Sequence, residues 1–254
     1  MSTKQHKLKR GIVMKYMGSK AKIVNDILPV MFENYNGHTF VDIFCGGCSV
    51  IENVPNTYRR IANDKQKYLI EMWKSLTQGK QFPTHIEKDF YDKVRDCSHG
   101  KNHDYDDDLV GWVGFMASFN GRFFDGGYSG HNAMLKSGKT RDYIKENINN
   151  TLKQIDKLKS VEWYSGDYFN CPFPENSLIY CDPPYKGTKQ YATSKNFDYQ
   201  MFYEWLYAMK EDGHTIFVSE YEMPYPFKCI WSKEVTNAMN QTITKKPTEK
   251  LFML

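Results

Sequence analysis

Short apolar runs alternate with helix-like stretches along most of this chain, and this alternation constrains the fold more than any other feature. The runs cover residues 38–44, 60–64, 161–167 and 177–182, and each carries an aspartate at or near its carboxyl end. Helical patterns follow Gly18 and cover about residues 65–76, 141–158 and 199–210, with Asp198 as an N-cap for the last. Strands that alternate with helices predict an α/β fold with a mixed, mostly parallel sheet.

The acidic residues at the ends of these runs predict a ligand site. Parallel sheets bind ligands in the crevice beyond the carboxyl ends of their strands. There the pattern places Asp42, Asp64, Asp167 and Asp182 on one rim. Residues 214–218 and 250–254 are expected to add further strands, within a β-rich tail over residues 229–254.

Residues 77–139 interrupt the alternation. They contain an acidic polar stretch, an apolar helical stretch over residues 109–119, and a glycine-rich aromatic segment over residues 120–130. An insertion with its own function is the natural interpretation. We therefore divide the chain into a main domain, residues 1–76 and 140–254, and an inserted subdomain, residues 77–139.

The composition is that of a globular protein, with 41% hydrophobic and 25% charged residues among 254. No segment approaches the roughly 18 apolar residues of a membrane span, and the N-terminus lacks the apolar stretch of a signal peptide. We expect a cytoplasmic protein without a membrane partner, in a bacterium or in the host of a phage. The six scattered cysteines predict free thiols. The basic N-terminus, around Lys7 and Arg10, either touches phosphates or is simply solvated.

The segment from Phe44 to Ser49 follows a predicted strand and contains the glycine pair Gly46 and Gly47. Glycines allow a sharp turn that approaches a ligand closely. The spacing of Cys45 and Cys48 also fits a zinc or redox pair, but the sequence shows no second pair of ligands, and we expect no metal. At the end of the next strand, Asp64 is expected to bind ribose hydroxyls, to cap the following helix, or to do both.

The tetrapeptide Asp182-Pro183-Pro184-Tyr185 is the most specific feature. Two prolines fix the backbone and remove two N–H donors, so a rigid carbonyl acceptor stands beside a carboxylate and a flat ring. This set suits a purine amine, whose lone pair is delocalised until its N–H bonds are drawn toward acceptors such as Asp182 and the Pro183 carbonyl. Those acceptors stabilise charge that develops in the transition state. The alternative is a strand-terminating turn with an incidental aspartate.

With these motifs in view, the chain resembles the Dam-type adenine-N6 DNA methyltransferases from about Lys15 to the C-terminus. Residues 15–20 resemble the N-terminal cofactor motif of that family, and residues 41–50 its glycine-rich motif. Gly166-Asp167-Tyr168 is similar to its Gly-Asp-Phe element, and residues 182–185 match its catalytic motif. Two departures are visible: Cys48 stands where the family usually has glycine, and the segment after Phe119 is shorter than the usual hairpin.

The resemblance implies a Rossmann-like methyltransferase that uses S-adenosylmethionine and flips an adenine out of double-stranded DNA onto Tyr185. Residues 77–139 then form a target-recognition subdomain with a helical part and a β-hairpin. The implied catalytic residues are Asp182, Pro183, Pro184 and Tyr185. The implied cofactor-binding residues are Tyr16, Gly18, Lys20, Asp42, Phe44, Gly46, Gly47, Ser49, Asp64, Asp167, Tyr168 and Asp182. The candidate DNA-binding residues are Asn120, Arg122, Tyr128, Lys186 and Lys189, with Lys195 nearby.

Other functions stay open at this point. The same chemistry could act on RNA adenine, although the long insertion favours DNA, and cytosine N4 is disfavoured because that class usually carries serine in place of Asp182. A DNA-binding regulator without catalysis is a third hypothesis, opposed by the intact Asp182 and Tyr185. A nicotinamide-dependent dehydrogenase is disfavoured because no G-x-G-x-x-G turn is present. The sequence does not distinguish a monomer from a homodimer, or a partner of a restriction nuclease from an enzyme that acts alone.

Overall fold

A seven-stranded sheet forms the centre of the computed structural model, which describes residues 13–135, 137–187, 196–235 and 247–254. Two further short strands pair with each other outside that sheet. The strands are β1 Thr39–Asp42, β2 Arg59–Asp64, β3 Ala133–Met134, β4 Thr140–Arg141, β5 Val161–Ser165, β6 Ser177–Cys181, β7 Thr215–Glu220, β8 Lys228–Glu234 and β9 Thr248–Met253. The helices are α1 Val24–Glu33, α2 Lys67–Thr77, α3 Lys88–Ser98, α4 Asp107–Ala117, α5 Tyr143–Leu152, α6 Ile155–Leu158 and α7 Tyr199–Glu211.

The order of strands in the large sheet is β5-β2-β1-β6-β7-β9-β8. The first five are parallel, and β9 pairs antiparallel with both β7 and β8. The sheet is therefore mixed and mostly parallel, which confirms the predicted α/β fold. From β1 the chain builds outward to β2 and β5, and then returns to place β6 on the other side of β1. That reversal creates a crevice at the carboxyl ends of β1 and β6, where such sheets bind ligands.

Strand β6 is covered on both faces of the sheet, since all five of its residues are buried. Leu178 and Tyr180 point to a cluster that includes Ile27 of α1, whereas Ile179 packs on the opposite side with Phe202 of α7. Neighbouring side chains of a strand point to opposite faces, so a continuous apolar run implies cover on both. Helix α7 begins where the sequence predicts, with the Asp198 side chain accepting from the Met201 N–H at 3.0 Å.

The helices of residues 77–139 share their core with the main domain. Trp73 and Met72 of α2 lie in one buried cluster with Trp112 and Met116 of α4 and Tyr91 of α3. Helix α4 approaches α2 closely at Gly111, where an added Cβ would lie 2.0 Å from the Tyr68 carbonyl oxygen. The inserted segment is therefore packed onto α2, and the α4 stretch is helical as predicted. Helix α3 was not predicted.

Two predicted elements differ in the structure. The helix expected over residues 141–158 is divided into α5 and α6, and the buried Gln154 lies between them. Its side chain accepts from the Met14 N–H at 2.6 Å and donates to the Gly47 carbonyl at 3.1 Å. Gln154 thus joins the glycine turn to the N-terminal segment.

The hairpin expected after Phe119 was also misplaced. Residues Phe119–Gly121 form a 3-10 turn, and a single bridge joins Ser118 to Tyr128. The antiparallel ribbon lies further on, between β3 and β4. Asn120 and Phe124 adopt φ angles of 55° and 57°, which close the loop more tightly than an extended pair of strands would.

None of the helices in the described part of the chain has the length and apolar character needed to cross a bilayer.

Candidate active site at the carboxyl edge of the sheet

Four predicted acids meet at one edge of the sheet. Asp42 and Asp64 are the last residues of β1 and β2, Asp167 lies two residues past β5, and Asp182 directly follows β6. The parallel register pairs Asp42 with Tyr180 of β6 and Asp64 with Ser165 of β5. The rim that the sequence predicts is therefore present in the structure.

The glycine turn is shaped to receive Tyr16. A Cβ added at Gly46 or at Gly47 would lie 2.6 Å from an atom of the Tyr16 side chain, so neither position has room for a larger residue. Cys48, in the family's glycine position, adopts a φ of 60°, in the left-handed region that glycine favours. The departure noted in the sequence therefore preserves the shape of the turn. Cys48 is a buried free thiol, as is Cys45.

Lys20 and Ser49 join the N-terminal motif to this turn. The Lys20 N–H donates to the Ser49 hydroxyl at 3.0 Å. Gly18, with a φ of 80°, turns the chain so that its carbonyl accepts from Lys20 Nζ at 3.2 Å. Two motifs that are separated along the chain thus form one surface, as the resemblance implies.

Asp64 stabilises both sides of the crevice floor. One carboxylate oxygen accepts from the Gly46 N–H at 3.0 Å and the other from the Gln66 N–H at 2.9 Å. Burial raises the pKa of Asp64, and these two hydrogen bonds oppose the rise. Asp64 therefore supports the start of α2 near Lys67, and its carboxylate also faces the glycine turn. Its role as a ribose ligand stays a prediction.

Asp42 is 1% exposed, and its Oδ1 has no hydrogen-bond partner among the described residues. Burial raises the pKa of Asp42 well above its usual value, and the charges of Asp182 and Asp64 raise it further. A buried carboxylate oxygen without a partner is costly, unless a ligand supplies a donor.

Asn63 is a site residue that the sequence analysis missed. It is buried, and its side-chain amide donates to the Ile43 carbonyl at 3.2 Å and to the Gly166 carbonyl at 3.1 Å. It therefore ties the ends of β1 and β5 together beneath the crevice. The signal was an amide directly after the apolar pair Ile61 and Ala62 and directly before Asp64.

The Gly166-Asp167-Tyr168 element forms the outer side of the rim. Asp167 is paired with Lys65 at 2.7 Å, and both side chains are largely exposed. Tyr168 is buried, with its ring 5.8 Å from Phe44 and 4.9 Å from Trp205. Its hydroxyl is buried without a partner in the described chain, and burial raises its pKa to about 12. Phe44 and Tyr168 thus form an aromatic wall beside the crevice.

Asp182 carries an ion pair with Lys20, whose Nζ lies 2.9 Å from Asp182 Oδ1. Burial raises the pKa of Asp182 to about 6, and the charge and hydrogen bond of Lys20 limit that rise. Despite the desolvation of its ammonium, these same contacts raise the pKa of Lys20. The tetrapeptide therefore lies against the N-terminal motif and beside Asp42.

Tyr185 is held by residues from other strands. Its hydroxyl donates to Glu249 of β9 at 2.8 Å, and its ring meets that of Tyr221 edge-on at a centroid distance of 4.7 Å. Lys20 Nζ lies 4.7 Å from the centre of the Tyr185 ring. Burial raises the pKa of Tyr185, with the nearby carboxylates of Asp182 and Glu249 adding to the effect, so the phenol stays neutral.

Two further residues hold the backbone of this turn. The Tyr199 hydroxyl donates to the Pro184 carbonyl at 2.8 Å. Glu220, buried at the end of β7, accepts from the Lys186 N–H at 2.6 Å and from the Tyr221 N–H. The sequence analysis missed Glu220 and Glu249, because neither lies in a motif. The role of the Pro183 carbonyl stays a prediction.

Part of this site lies in a segment that matches a known protein family. Residues 16–107 match the model of the D12 class N6 adenine-specific DNA methyltransferases. The match covers less than half of the chain, and that segment is similar to the D12 class. The match covers the N-terminal motif, the glycine turn and Asp64, and it ends before Asp182. It confirms the resemblance to adenine-N6 DNA methyltransferases.

Two modification enzymes are similar to the chain over 191 residues each. The modification methylase StsI of Streptococcus sanguinis is 30% identical, and the type II methyltransferase M.FokI of Planomicrobium okeanokoites is 29% identical. Each alignment covers 68% of this chain and 28% of the relative. The aligned part thus represents little more than a quarter of these relatives' length.

Asn120 lies on a turn that packs against the N-terminal motif. Asn120 is exposed, and Gly121 after it has a φ of 66° and lies so close to Lys15 that an added Cβ would be 1.9 Å from the Lys15 carbonyl oxygen. Arg122 is half-buried, with its Nε buried and unpaired among the described residues. The turn therefore adjoins the N-terminal motif, which itself contacts Asp182.

The other candidate DNA ligands differ in their surroundings. Tyr128 is half-buried, and its hydroxyl donates to the Ile86 carbonyl at 2.6 Å, so a contact with a base would require that bond to break. Lys186 is exposed, with Nζ 5.9 Å from the centre of the Tyr199 ring. Lys189 and Lys195 lie outside the described residues. The DNA-binding roles stay predictions.

Within the residues described, no cluster of three or more His, Cys, Asp or Glu side chains is arranged to hold a metal ion.

Proposed function

We propose that this chain transfers a methyl group from S-adenosylmethionine to the N6 amine of a flipped adenine in double-stranded DNA, at a specific site. The observation that carries the proposal is the 2.9 Å ion pair between Lys20 and Asp182. It brings the catalytic tetrapeptide against the motif assigned to the cofactor. The D12 class match supports the same reaction.

Several residues of the crevice support binding of S-adenosylmethionine there. The unpaired Asp42 Oδ1 offers an acceptor to a donor such as the cofactor's ammonium group, and we propose that Asp64 binds the ribose hydroxyls. Because Gly46 and Gly47 have no side chain, the backbone there can pack closely against Tyr16. Phe44 and Tyr168 offer an apolar wall for the adenine ring. When bound, the cofactor supplies an electrophilic methyl group on sulfur.

The tetrapeptide supplies what the target amine needs. In the proposed reaction, Asp182 accepts a hydrogen bond from one N6–H and the Pro183 carbonyl accepts one from the other, while the Tyr185 ring stacks on the flipped base. The two acceptors direct the nitrogen lone pair toward the methyl group and stabilise the positive charge that develops on N6. The new N–CH3 bond would form as the S–CH3 bond breaks, and the surplus N6 proton would then leave past Asp182 to solvent. Asp182 must be ionised to do this, and Lys20 keeps the carboxylate available by opposing the effect of burial.

We further propose that residues 77–139 read the DNA target, with Asn120 and Arg122 contacting base edges. An exposed amide on a rigid turn is suited to pair with adenine, and a guanidinium with guanine. Both relatives are named as modification or type II methyltransferases, and we propose a role in site-specific DNA modification for this chain as well.

The test uses the purified chain with methyl-labelled S-adenosylmethionine and three substrates: unmethylated duplex DNA, single-stranded DNA and RNA. We expect label in duplex DNA, recovered as N6-methyladenine after digestion. Cofactor binding, measured by calorimetry, shows that the protein is folded. If a cofactor-binding preparation labelled no DNA, the proposal would be wrong. If it labelled RNA in preference to DNA, the substrate would be RNA instead. Sequencing the methylated adenines then gives the target site.

A further inference from the structure

In the proposed reaction, Lys20 and the target adenine share one carboxylate. Lys20 Nζ lies 2.9 Å from Asp182 Oδ1, and the proposed reaction requires Asp182 to accept a hydrogen bond from N6. The side chains of Lys20 and Asp182 are 7% and 19% exposed, so solvent screens their attraction only weakly. The incoming base therefore bonds to a carboxylate that already has a strong partner, and whose second oxygen can accept from N6.

Glu249 stands where a second partner for Lys20 is needed. Its Oε2 lies 3.8 Å from Lys20 Nζ, beyond hydrogen-bond length but within the range of an ion pair, and its side chain is 16% exposed. The same oxygen accepts from the Tyr185 hydroxyl at 2.8 Å. Glu249 thus contacts the hydroxyl of Tyr185, on whose ring the base is proposed to stack. It also lies near Lys20, the cation that is paired with Asp182.

We propose that Glu249 is a positioning residue for methylation: it fixes the Tyr185 ring and shares the Lys20 ammonium with Asp182 while the adenine amine is hydrogen-bonded to Asp182. This inference rests on the proposed function and adds a residue that lies outside its motifs. As N6 gains positive charge, an ammonium held only by Asp182 would oppose the reaction. A carboxylate on the far side of Lys20 compensates that charge. Glu249 acts through Lys20 and Tyr185 and does not touch the base.

The fold allows this placement because β9 runs antiparallel to β7. Residue Lys250 pairs with Glu220 at the carboxyl end of β7, so β9 begins at the edge where the parallel strands end. Glu249 therefore enters the site from a strand near the end of the chain.

The experiment compares Glu249→Gln and Glu249→Ala with wild type, using a duplex that carries the methylation site. Glu234→Gln is the matched control, because Glu234 is an exposed carboxylate on β8, opposite Thr248 in the same pair of strands. Single-turnover methylation is measured at saturating cofactor and DNA, together with KM for DNA. The fluorescence of 2-aminopurine at the target position reports how the flipped base is held.

We expect the single-turnover rate to fall about 30-fold in Glu249→Ala and about tenfold in Glu249→Gln, since a side-chain amide can still accept from Tyr185 but carries no charge for Lys20. Cofactor affinity should change less than about threefold, because no atom of Glu249 is assigned to the cofactor. Glu234→Gln should match wild type.

The pH profile separates this role from a merely structural one. The charged groups that face Asp182 are Lys20 from the N-terminal motif, Glu249 from β9, Glu220 from β7 and Asp42 from β1. Glu249 raises the pKa of Asp182, so its removal lowers that pKa. The acid limb of the single-turnover rate should therefore move to lower pH in Glu249→Gln. Loss of packing alone would lower the rate without this displacement.

Introducing Glu249→Gln into a Tyr185→Phe background isolates the contact with Lys20, because the hydroxyl is then absent. A remaining rate loss in that background is the expected result. Rates equal to those of Glu234→Gln, or an unmoved acid limb, would overturn the inference. If wild type transferred no methyl group at all, the proposed function would fail instead, so the two failures are distinguishable. Should Glu249→Ala not fold, the isosteric Glu249→Gln still decides the question.

Discussion

Asp42 and Asp182 lie at the ends of adjacent strands, yet their surroundings differ. Both carboxyl groups are largely or wholly shielded from solvent, and burial raises the pKa of both. Asp182 faces Lys20 at 2.9 Å and has a pKa of about 6, whereas Asp42 has an unpaired Oδ1 and a pKa raised well above its ordinary value. One carboxylate is supplied with a cation by the protein, and the other has an oxygen that no described group satisfies.

This difference teaches which parts of the site are complete in the protein and which depend on a ligand. The chain itself closes the network of Lys20, Asp182, Tyr185 and Glu249, so the proposed catalytic group is held in place without a ligand. The orphaned oxygen of Asp42 is stable only at a free-energy cost, which a bound donor would remove. This cost supports the proposal that the cofactor binds beside Asp42.

Removing Asp182 should have the largest effect. We expect Asp182→Ala to reduce the rate of methyl transfer by about a thousandfold or more, because an acceptor that acts on the transition state is lost. DNA binding, measured by fluorescence anisotropy, should stay within about threefold of wild type, because Asp182 contacts the reacting amine and none of the phosphates. Turnover near the wild-type level would contradict the assigned role, and Asp182→Asn serves as the isosteric comparison.

Asp42→Asn should affect binding and stability in opposite directions. Loss of the charge is expected to weaken S-adenosylmethionine binding at least about tenfold. The raised pKa means that folding favours the protonated carboxyl, so above that pKa the ionised group opposes folding. The neutral amide should therefore stabilise the cofactor-free protein by about 1 kcal/mol.

Calorimetry and thermal unfolding in the absence of cofactor measure the two effects of Asp42→Asn. An unchanged cofactor affinity would show that the free oxygen is not part of the binding site.

Removing Lys20 should leave Asp182, like Asp42, without a cation partner among the described residues. The Lys20 charge lowers the pKa of Asp182, so Lys20→Met is expected to raise that pKa above about 6. Because only the ionised carboxylate accepts N6–H, activity should be lost at a higher pH than in wild type.

The measurement for Lys20→Met is the acid limb of the single-turnover rate at saturating cofactor. Lys65→Met is the control, since it removes a cation from the exposed Asp167. A limb that stayed at the wild-type position in Lys20→Met would refute the electrostatic role of Lys20.

Tyr168→Phe should have the smallest effect. The Tyr168 hydroxyl is buried without a partner in the described chain, as Asp42 Oδ1 is, but it is uncharged. Its removal should stabilise the fold by up to about 1 kcal/mol, because an unsatisfied polar group is lost and the ring contacts with Phe44 and Trp205 remain. Thermal unfolding tests this, and a cofactor affinity more than about threefold weaker would assign the hydroxyl to binding instead.

Strand positions and the acidic rim could be predicted from sequence because they follow from local patterns. A buried parallel strand reads as an apolar run, and its carboxyl end is marked by the polar residue that follows, such as Asp64 or Asp182. The motif around Lys20 and the glycine turn could each be recognised from the sequence, because the residues of each motif are close together in the chain. The family match over residues 16–107 covers these motifs.

The loop after Phe119 and the interrupted helix at Gln154 could not be predicted. Their shapes depend on contacts with distant segments: Gly121 lies against Lys15, and the Gln154 side chain reaches Met14 and Gly47. Local propensity cannot anticipate a loop that is shaped by packing against the N-terminal segment, or a glutamine whose side chain bonds to distant backbone groups.

The sequence by itself determined the α/β fold, the order of its motifs and the residues capable of this chemistry, since periodicity and motif spacing are local properties. Tertiary structure alone decided which charges meet. Glu249 reaches Tyr185 because β9 enters the sheet antiparallel beside β7, and Lys20 reaches Asp182 because the N-terminal segment packs over the glycine turn. Electrostatic partnership depends on distance and burial in space, and neither can be read from separation along the chain.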